Sequence, residues 1–491
     1  MPMAEVIPLA SASPEEVAEA LKRGEIVILP TETVYGLAAL SAHDGAVGRL
    51  LKAKGERRAP LALHVASPEG ALRLLEPGRR AEALARLMPG PLLLVGRASR
   101  EAPRRFVSPE GSLGVRCPGH DFVRRVIELA GPLLLPSANR AGALPPTDVK
   151  WALSEVGEFC ALAVDGGPSE GGVESTVVDI RGERPKVLRA GLLPVEMIEE
   201  ALGEKVEVEE PKPEGRYLAR ARLLYIDAPG GRFIKSAKET ALEVGGEVRF
   251  LTVSEIATAL GPMAIPLAGL DHPEEGARRL YPLLAELDEE GLTIVAGGLP
   301  KRGLWLAIRD RLFRASSEVR RPPVKVLFVC DGNTCRSVMA EHIARKLAEE
   351  RGLKLEASSA GLEAKPGSKA TPLAVEALRR LGLDASGHRA RRVEEVDLRE
   401  FDLVVTMTKA QRESMRSRAP WASVLTLIEA AGRRKGERDD ALKALGLDKG
   451  EEADDVLDPY GASVEAYETC ARQIRELVEG LLCRLLEGRL L

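Results

Sequence analysis

The chain has 491 residues, of which 45% are hydrophobic and 29% charged, and its formal net charge is -4. This length predicts about three domains, and a charge so close to neutral gives no global attraction to nucleic acid or to membranes. There is no run of ~18 apolar residues, and the first residues lack the basic and apolar regions of a signal peptide. We therefore expect a cytosolic protein.

The six cysteines have no regular spacing, which argues against a disulfide framework. Four of them are expected to be small residues in or near the core. These four are Cys117, Cys160, Cys470 and Cys483. Cys330 and Cys335 stand together in a motif, and the only two asparagines of the chain, Asn139 and Asn333, also fall inside motifs.

The first part of the chain divides into a domain, a linker and a second domain. Residues 1–205 mix short apolar strands (EIVILP, PLALHV, PLLLP, STVVDI) with helical segments such as 14–22 and 121–130. Residues 206–222 are charged, contain prolines and lack apolar periodicity, which is typical of a linker. Over 223–318 strands alternate with helical stretches, which predicts a small parallel α/β domain.

A last section, residues 324–491, follows the break Arg-Arg-Pro-Pro and again alternates strand and helix. Its final segment, 463–486, is predicted to be an amphipathic helix. The residues of the apolar face are Val464, Tyr467, Ala471, Ile474, Val478 and Leu481. The charged stretch 432–455 is expected to be a surface excursion. The whole chain is therefore predicted to have an α/β fold with three domains.

Basic and hydroxyl-bearing residues of the first section stand near the ends of its apolar strands. These residues are Thr33, Lys54, His64, Ser112, Arg116, Ser137, Asn139, Ser175 and Arg189. A groove lined by such side chains suits a polyphosphate and a small polar amino acid. The chain has neither a Walker loop nor a Gly-x-Gly-x-x-Gly motif, so a nucleotide must be held in another way.

In order and spacing, these motifs resemble the threonylcarbamoyl-AMP synthase family over about 1–205. The linker and small domain resemble the longer form of that family, to about 318. The resemblance implies a twisted α/β synthase domain that makes threonylcarbamoyl-AMP and pyrophosphate from threonine, bicarbonate and ATP, with Mg²⁺ and without an organic cofactor or a protein metal site. The product then serves threonylcarbamoyladenosine formation in tRNA, which we expect to be an indirect partner through a threonylcarbamoyl transferase complex.

Site residues are carried over from the family one by one. The residues implied to contact threonine or the carbamoyl group are Thr33, His64, Arg116 and Ser175. The residues implied to bind ATP are Lys54, Arg57, Ser112, Ser137, Asn139, Arg189 and Tyr217. Tyr217, in the linker, matches a tyrosine that folds over the active site as a lid. The family pattern has arginine where this chain has Glu56, so Arg57 is the expected replacement, and Arg57→Ala is predicted to reduce pyrophosphate release more than Arg58→Ala.

The last section opens with an apolar strand that runs into Cys330-Asp-Gly-Asn-Thr-Cys-Arg336-Ser337 and then into a helix. Such a loop turns backbone N–H groups inward at a helix N-terminus and makes an anion site. The same field stabilises a thiolate at the start of the loop. Arg336 adds a planar fork that matches two phosphate oxygens.

This motif resembles the phosphate-binding loop of low-molecular-weight cysteine phosphatases, over about 324–491. The resemblance implies a four-stranded parallel sheet with flanking helices. It makes Cys330 the nucleophile that forms a phosphocysteine and Arg336 the residue that holds the phosphoryl oxygens. Asn333 is implied to shape the loop, Ser337 to donate to the thiolate, and Asp458, in Asp-Pro-Tyr, to protonate the leaving group and then activate water.

Two residues give opposite indications about the phosphorylated protein substrate. At position 334 this chain has a threonine and so resembles the protein-arginine phosphatase branch of the family. Tyrosine-directed members have a β-branched apolar residue at that position. Tyr460, beside the acid, is common in tyrosine-directed members. The sequence favours phosphoarginine and leaves phosphotyrosine open.

Three hypotheses of different classes follow for the whole chain. The first is a bifunctional enzyme with both activities. The second is a synthase whose phosphatase-like module only binds phosphorylated proteins, although a binding module has no use for the acid Asp458. The third is an RNA-binding protein, for which a salt-dependent affinity is the expected signature.

Overall fold

The computed structural model describes residues 4–55, 61–215, 217–228, 230–419, 422–432, 455–456 and 458–486. The chain divides into two compact units, Met1–Arg320 and Arg321–Leu491. The synthase section, the linker and the small α/β section predicted from the sequence share the first unit. The α/β class is confirmed in both units, and no helix in these ranges is long and apolar enough to cross a membrane.

The first unit contains an eleven-stranded mixed sheet. Its strands are β1 Glu5–Pro8, β2 Val27–Leu29, β3 Gly36–Leu40, β4 Leu63–His64, β5 Leu92–Arg97, β6 Ser112–Arg116, β7 Leu133–Leu134, β8 Leu162–Asp165, β9 Thr176–Asp179, β10 Lys186–Arg189 and β11 Glu207–Val208. They are ordered β1-β8-β2-β3-β7-β4-β6-β5-β9-β10-β11. The four apolar segments predicted as strands correspond to β2, β4, β7 and β9.

Seven helices accompany this sheet in the described ranges. They are α1 Pro14–Lys22, α2 Asp44–Lys54, α3 Pro68–Leu74, α4 Arg79–Ala85, α5 Asp121–Ala130, α6 Val149–Val156 and α7 Val195–Leu202. Helix α1 begins as predicted because Pro14 fits its first position and the Ser13 hydroxyl accepts a hydrogen bond from the Glu16 amide at 3.3 Å. The predicted helices 14–22 and 121–130 are both confirmed.

The predicted linker is partly regular. Glu207–Val208 forms the short strand β11, which pairs in parallel with β10 at the edge of the sheet. The pairing is possible because residues 207–208 are extended and both side chains are exposed, as suits an edge strand.

The small α/β domain of the first unit has five parallel strands in the order β14-β13-β15-β12-β16. These strands are β12 Arg222–Ile226, β13 Glu247–Thr252, β14 Ala264–Pro266, β15 Leu292–Gly297 and β16 Glu318–Arg320. Its helices are α8 Gly230–Val244, α9 Ser254–Leu260, α10 Pro273–Glu286 and α11 Gly303–Ala315. Val34, Leu144 and Val173 from the larger domain pack into the core of this domain. Loops of the larger domain therefore lie directly against the small one.

The second unit has the predicted four-stranded parallel sheet, in the order β18-β17-β19-β20. Its strands are β17 Val324–Cys330, β18 Leu355–Gly361, β19 Leu403–Thr406 and β20 Val424–Thr426. Its helices are α12 Arg336–Glu350, α13 Pro372–Arg380, α14 Lys409–Arg418, α15 Leu427–Ala431 and α16 Val464–Leu486. From β17 the chain continues first to β18 on one side and then to β19 on the other side. The loop after β17 therefore lies at the point of the sheet where parallel α/β folds commonly bind ligands.

Helix α16 buries the predicted apolar face, with Val464 half-buried at its start. Cys117, Cys160 and Cys470 are buried as expected, but Cys483 is exposed. The expectation for Cys483 is wrong because that residue faces away from the buried side of α16. The stretch 432–455 lies almost entirely outside the described residues.

Candidate active sites

The phosphate loop joins β17 to α12 and brings Cys330 against Ser337. The Cys330 Sγ and Ser337 Oγ atoms are 3.0 Å apart. Asn333 has a φ of 52° and donates from Nδ2 to Ser337 Oγ at 3.0 Å and to Ser359 Oγ at 2.8 Å. Because Ser337 Oγ accepts from Asn333, its own hydrogen is free to point at the Cys330 sulfur. The Ser337 hydroxyl is therefore placed to donate a hydrogen bond to the Cys330 sulfur.

Arg336 is buried at the start of α12 and holds the acid loop. Its Nη1 donates to the Val456 carbonyl oxygen at 3.0 Å, and its Nη2 donates to Asp458 Oδ2 at 2.5 Å. Asp331 Oδ2 lies 3.4 Å from the same Nη2 and accepts from Gln411 Nε2 at 2.8 Å. The structure thus brings the predicted cation and the predicted acid into contact, and adds a second carboxylate from within the loop.

Three residues that the sequence did not single out support the loop. The His388 Nε2 atom is 2.9 Å from the Asn333 carbonyl oxygen, and the Arg391 amide donates to Asn333 Oδ1 at 3.0 Å. A Cβ atom added to Gly361 would lie 2.4 Å from the Asp331 carbonyl oxygen. These contacts join positions far apart in the sequence, so no local pattern indicated them.

Thr334 and Tyr460, which gave opposite indications, lie in different surroundings. Thr334 is half-buried in the loop, where its carbonyl oxygen accepts from the Thr371 amide at 2.9 Å. Tyr460 is 73% exposed beside Asp458.

The two cysteines of the phosphate loop differ. Burial raises the pKa of the Cys335 thiol, so Cys335 stays protonated at neutral pH. Cys330 is therefore the candidate nucleophile.

Thr33, His64 and Arg116 lie close together where two central strands of the eleven-stranded sheet end, since β4 ends at His64 and β6 ends at Arg116. Arg116 Nη2 donates to Glu32 Oε1 at 2.7 Å and to Thr33 Oγ1 at 3.1 Å. His64 is the register partner of Arg116 on the adjacent parallel strand. Burial, followed by the charge of Arg116, lowers the pKa of His64 to about 3, so the imidazole is neutral at pH 7.

Three buried polar atoms in this cluster have no hydrogen-bond partner among the described residues. They are Glu32 Oε2, His64 Nδ1 and Arg116 Nε. Buried polar groups are nearly always paired in folded proteins, so orphans that converge at one place indicate a ligand site. Glu32 directly precedes Thr33 in the chain, but the sequence gave no reason to assign it a role.

Lys54, Ser137 and Asn139 form a second group. Lys54 Nζ is buried and donates to the Ser137 carbonyl oxygen at 2.7 Å, to Asn139 Oδ1 at 3.1 Å and to the Asn139 carbonyl oxygen. Ser137 Oγ donates to Asn139 Oδ1 at 2.5 Å. The Ala138 amide donates to the Tyr35 carbonyl oxygen at 2.8 Å, which places this loop beside the one that carries Thr33.

Ser175 and Arg189 form a third group, close to Tyr217. Arg189 Nη2 donates to the Ser175 carbonyl oxygen at 2.9 Å and to its hydroxyl at 3.3 Å. Tyr217 has a φ of 80°, which is strained for a non-glycine residue, and its ring lies 6.1 Å from that of Tyr281. Burial, together with the charge of Glu174, raises the pKa of Tyr217 to about 12. The predicted lid residue is thus packed beside Arg189.

Two predicted residues are not placed with these groups. Ser112 pairs with Arg97 at the opposite end of β6 from Arg116, and its hydroxyl lies 2.8 Å from that of Ser108. Its role in ATP binding stays a prediction that this position does not support. Arg57 lies outside the described residues.

Comparisons with known proteins match each part of the chain. A Sua5/YciO/YrdC family model described as "Telomere recombination" matches residues 19–191, and one described as the C-terminal domain of threonylcarbamoyl-AMP synthase matches 193–317. A model of low molecular weight phosphotyrosine protein phosphatases matches 325–489.

Individual relatives cover the same parts. The chain is 33% identical over 314 residues to a threonylcarbamoyl-AMP synthase of Pyrococcus abyssi, which covers 60% of this chain and 92% of that protein. It is 35% identical over 166 residues to a protein-arginine-phosphatase of Bacillus subtilis, which covers 33% of this chain and 98% of that protein. A crystal structure of P. abyssi Sua5 complexed with L-threonine matches with a TM-score of 0.56 and 30% identity, over 64% of this chain and 99% of that one.

The buried basic side chains of the first unit are typical of an ATP-using synthase, and the loop of Cys330 and Arg336 in the second unit is typical of a cysteine phosphatase. The chain belongs to the threonylcarbamoyl-AMP synthase family, and its second unit belongs to the low-molecular-weight protein phosphatase family. It is a bifunctional enzyme, as the first of the three hypotheses predicted.

Proposed function

We propose that the first unit condenses L-threonine, bicarbonate and ATP into threonylcarbamoyl-AMP, with release of pyrophosphate. The observation that carries the threonine site is the convergence of orphaned polar atoms on Glu32, His64 and Arg116. Arg116 supplies a charge for the threonine carboxylate, and neutral His64 and the Thr33 hydroxyl supply hydrogen bonds. The related P. abyssi structure with bound L-threonine supports this assignment.

Lys54, Arg189 and Tyr217 are assigned to the nucleotide. Lys54 donates to three oxygens of the Ser137–Asn139 loop, so it orders the loop that is proposed to bind the nucleotide. Arg189 lies beside Ser175, where its guanidinium neutralises charge that develops at the α-phosphate. Tyr217 covers the site from the linker.

We propose that Mg²⁺ enters the site bound to ATP. Among the described residues no group of three His, Cys, Asp or Glu side chains converges on one point. Because Mg²⁺ in nucleotide sites usually keeps waters and binds phosphate oxygens, the residues present fit an ion held mainly by the nucleotide.

The synthase proposal is tested by pyrophosphate release measured with and without threonine and bicarbonate. Arg116→Lys keeps the charge but loses the planar guanidinium, whose Nη2 donates to both Glu32 and Thr33, so the KM for threonine should rise. Arg125→Lys on the exposed face of α5 is the matched control, and its KM should equal that of the wild type. An unchanged threonine KM in Arg116→Lys would contradict the assignment.

For the second unit we assign the chemistry to Cys330, Arg336 and Asp458. The Cys330 thiolate attacks phosphorus while Arg336 and the loop amides bind the phosphoryl oxygens. Asp458 gives its proton to the departing nitrogen or oxygen as the bond to phosphorus breaks. Asp458 then takes a proton from water, which attacks phosphorus, releases phosphate and regenerates Cys330.

Protein phosphoarginine is the proposed substrate, and Asp331 adds to the argument from Thr334. Gln411 holds the Asp331 carboxylate within the loop, 3.4 Å from Arg336. A guanidinium leaving group becomes cationic as it departs, and a fixed carboxylate at this position stabilises it, whereas a phenol leaving group gains nothing. The exposed ring of Tyr460 is free to contact either substrate.

The substrate is tested by initial rates on a phosphoarginine peptide and a phosphotyrosine peptide, with Cys330→Ser as the blank. The wild type should prefer phosphoarginine, and both Asp331→Asn and Thr334→Ile should lower that ratio. A preference for phosphotyrosine would contradict the proposal and make Tyr460 the better guide.

The product of the first unit is proposed to serve tRNA modification through a separate threonylcarbamoyl transferase. The test is to supply the chain, its three substrates and a transferase complex to unmodified tRNA and to measure threonylcarbamoyladenosine. No modified nucleoside in the presence of measurable pyrophosphate release would contradict this role.

A further inference from the structure

Arg311 is the largest fully buried side chain among the described residues, and it reaches out of the small α/β domain. It lies on α11, but its Nε donates to Glu174 Oε2 at 2.7 Å and its Nη1 to the Ala190 carbonyl oxygen at 2.8 Å. Both acceptors belong to the larger domain, one residue from Ser175 and from Arg189 respectively. A buried guanidinium is costly unless it is well matched, so these contacts fix its position.

Tyr281, on α10 of the small domain, binds the same carboxylate. Its Oη donates to Glu174 Oε2 at 2.5 Å. The other oxygen, Glu174 Oε1, lies 3.6 Å from Arg189 Nη1. Burial by itself would raise the pKa of Glu174, but Arg311, Arg189 and Tyr281 lower it to about 2, so the carboxylate is ionised at neutral pH.

Two glycines near Glu174 lie so close to neighbouring backbone that a side chain would not fit at either position. A Cβ atom on Gly172, whose φ is 71°, would lie 2.4 Å from the Cα of Arg278 in α10. A Cβ atom on Gly191 would lie 2.4 Å from the Glu174 carbonyl oxygen. The loop that carries Glu174 and Ser175 is therefore clamped between the small domain and the segment after β10.

We infer that Arg311 and Tyr281 are positioning residues of the synthase site, which act through Glu174 on Arg189 and Ser175. The small α/β domain thus completes the site without a side chain that touches substrate. With Arg311 present, one Glu174 oxygen is held by the small domain and only the other faces Arg189. Without Arg311, only Tyr281 still holds Glu174 Oε2, and more of the carboxylate charge falls on Arg189, where it competes with the nucleotide phosphates. This inference rests on the proposed role of Arg189 in binding ATP.

The test compares Arg311→Met and Tyr281→Phe with the control Arg309→Met in the full chain. Arg309 is also buried on α11, but it pairs with Asp227 inside the small domain at 3.0 Å. Rates of threonine-dependent pyrophosphate release are measured against ATP concentration, together with thermal unfolding. Arg311→Met should raise the KM for ATP about tenfold and Tyr281→Phe about threefold, as expected for lost hydrogen bonds to a charged group. Arg309→Met should lower the Tm and leave the KM unchanged, and Arg311→Lys should recover part of the loss.

A purely structural role of Arg311 would lower the Tm and the maximal rate but not move the KM, and this result would overturn the inference. If Arg311→Met does not fold, Tyr281→Phe, which loses one oxygen atom, decides alone: an unchanged KM for ATP overturns the inference. Failure of the underlying assignment looks different, because then Arg189→Ala itself leaves the KM for ATP unchanged.

Discussion

Asn333 serves both the backbone and the chemistry of the phosphate loop. Its φ of 52° lies in the left-handed region, which costs little for glycine and more for other residues. Its side-chain amide also orients the Ser337 hydroxyl and binds Ser359. One residue therefore determines the shape of the loop and the direction of the hydrogen bond to Cys330.

Replacement of Asn333 by glycine or by alanine should separate these two effects. Both variants lose the bond to Ser337, so kcat for p-nitrophenyl phosphate should fall about tenfold in each. Only alanine adds backbone strain, so its free energy of unfolding should be lower than that of the glycine variant by about 1 kcal/mol. Kinetics and urea unfolding measure the two effects. A wild-type kcat in Asn333→Gly would contradict the role given to the amide.

His64 should give the first unit an acid-dependent stability. The folded pKa of about 3 lies below the ordinary value of 6.5, so between these values the unfolded chain binds a proton that the folded chain does not. The free energy of unfolding should therefore fall as the pH falls from 6.5 toward 3, by about 1.4 kcal/mol per pH unit from this group. Urea unfolding at several pH values should show that the free energy of unfolding depends less steeply on pH in His64→Gln than in the wild type. Equal slopes would count against the buried neutral imidazole.

Several residues that the sequence assigned to one site contact one another, but three carboxylates that bind them were given no role: Glu32, Asp331 and Glu174. Thr33 and Arg116 were assigned to one substrate and are in contact, and Cys330, Ser337, Arg336 and Asp458 form one cluster. Glu174 directly precedes Ser175 in the chain, and the sequence gave it no role. Its partner Arg311 is 137 positions away, and only the tertiary fold brings the two together.

At the scale of elements, both sites lie where strands end. The end of β18 touches the loop after β17, and Gly361 is required there because any side chain would meet the Asp331 carbonyl oxygen at 2.4 Å. The contact fixes the loop that carries Cys330. An element that binds no substrate thus sets the geometry of the nucleophile.

Gly361→Ala should displace the phosphate loop. The added methyl group would overpack the contact, at a cost of about 1–3 kcal/mol, and phosphatase activity should fall sharply while pyrophosphate release is unchanged. Gly387→Ala, where no atom lies within 4 Å of the added Cβ, is the control and should behave as the wild type. Thermal unfolding and both assays provide the readout. Full phosphatase activity in Gly361→Ala would contradict the packing argument.

The regular elements were predictable where the apolar pattern is strong. The strands β2, β4, β7 and β9, and the helices α1, α5 and α16, lie where apolar runs or helical periodicity indicated them. The strand β11 was not predictable, because two exposed residues carry no pattern and gain their conformation from pairing with β10. The exposure of Cys483 near the end of α16 was missed for a related reason: a cysteine is compatible with either face.

At the scale of the whole molecule, the chain joins a synthase and a phosphatase, one in each of two compact units. Both activities were predictable because each family is marked by local motifs. The buried ion pair that joins the first two sections was not predictable, since Glu174 and Arg311 lie 137 positions apart and only the tertiary fold brings them together. Each unit thus has its own active site.

The most direct test measures both activities in single preparations of the wild type, Cys330→Ser and Arg116→Lys. Cys330→Ser should lose phosphoarginine hydrolysis and keep threonine-dependent pyrophosphate release. Arg116→Lys should weaken pyrophosphate release and keep phosphoarginine hydrolysis. A variant that loses both activities, or a wild-type chain with only one of them, would contradict the claim of two separate sites.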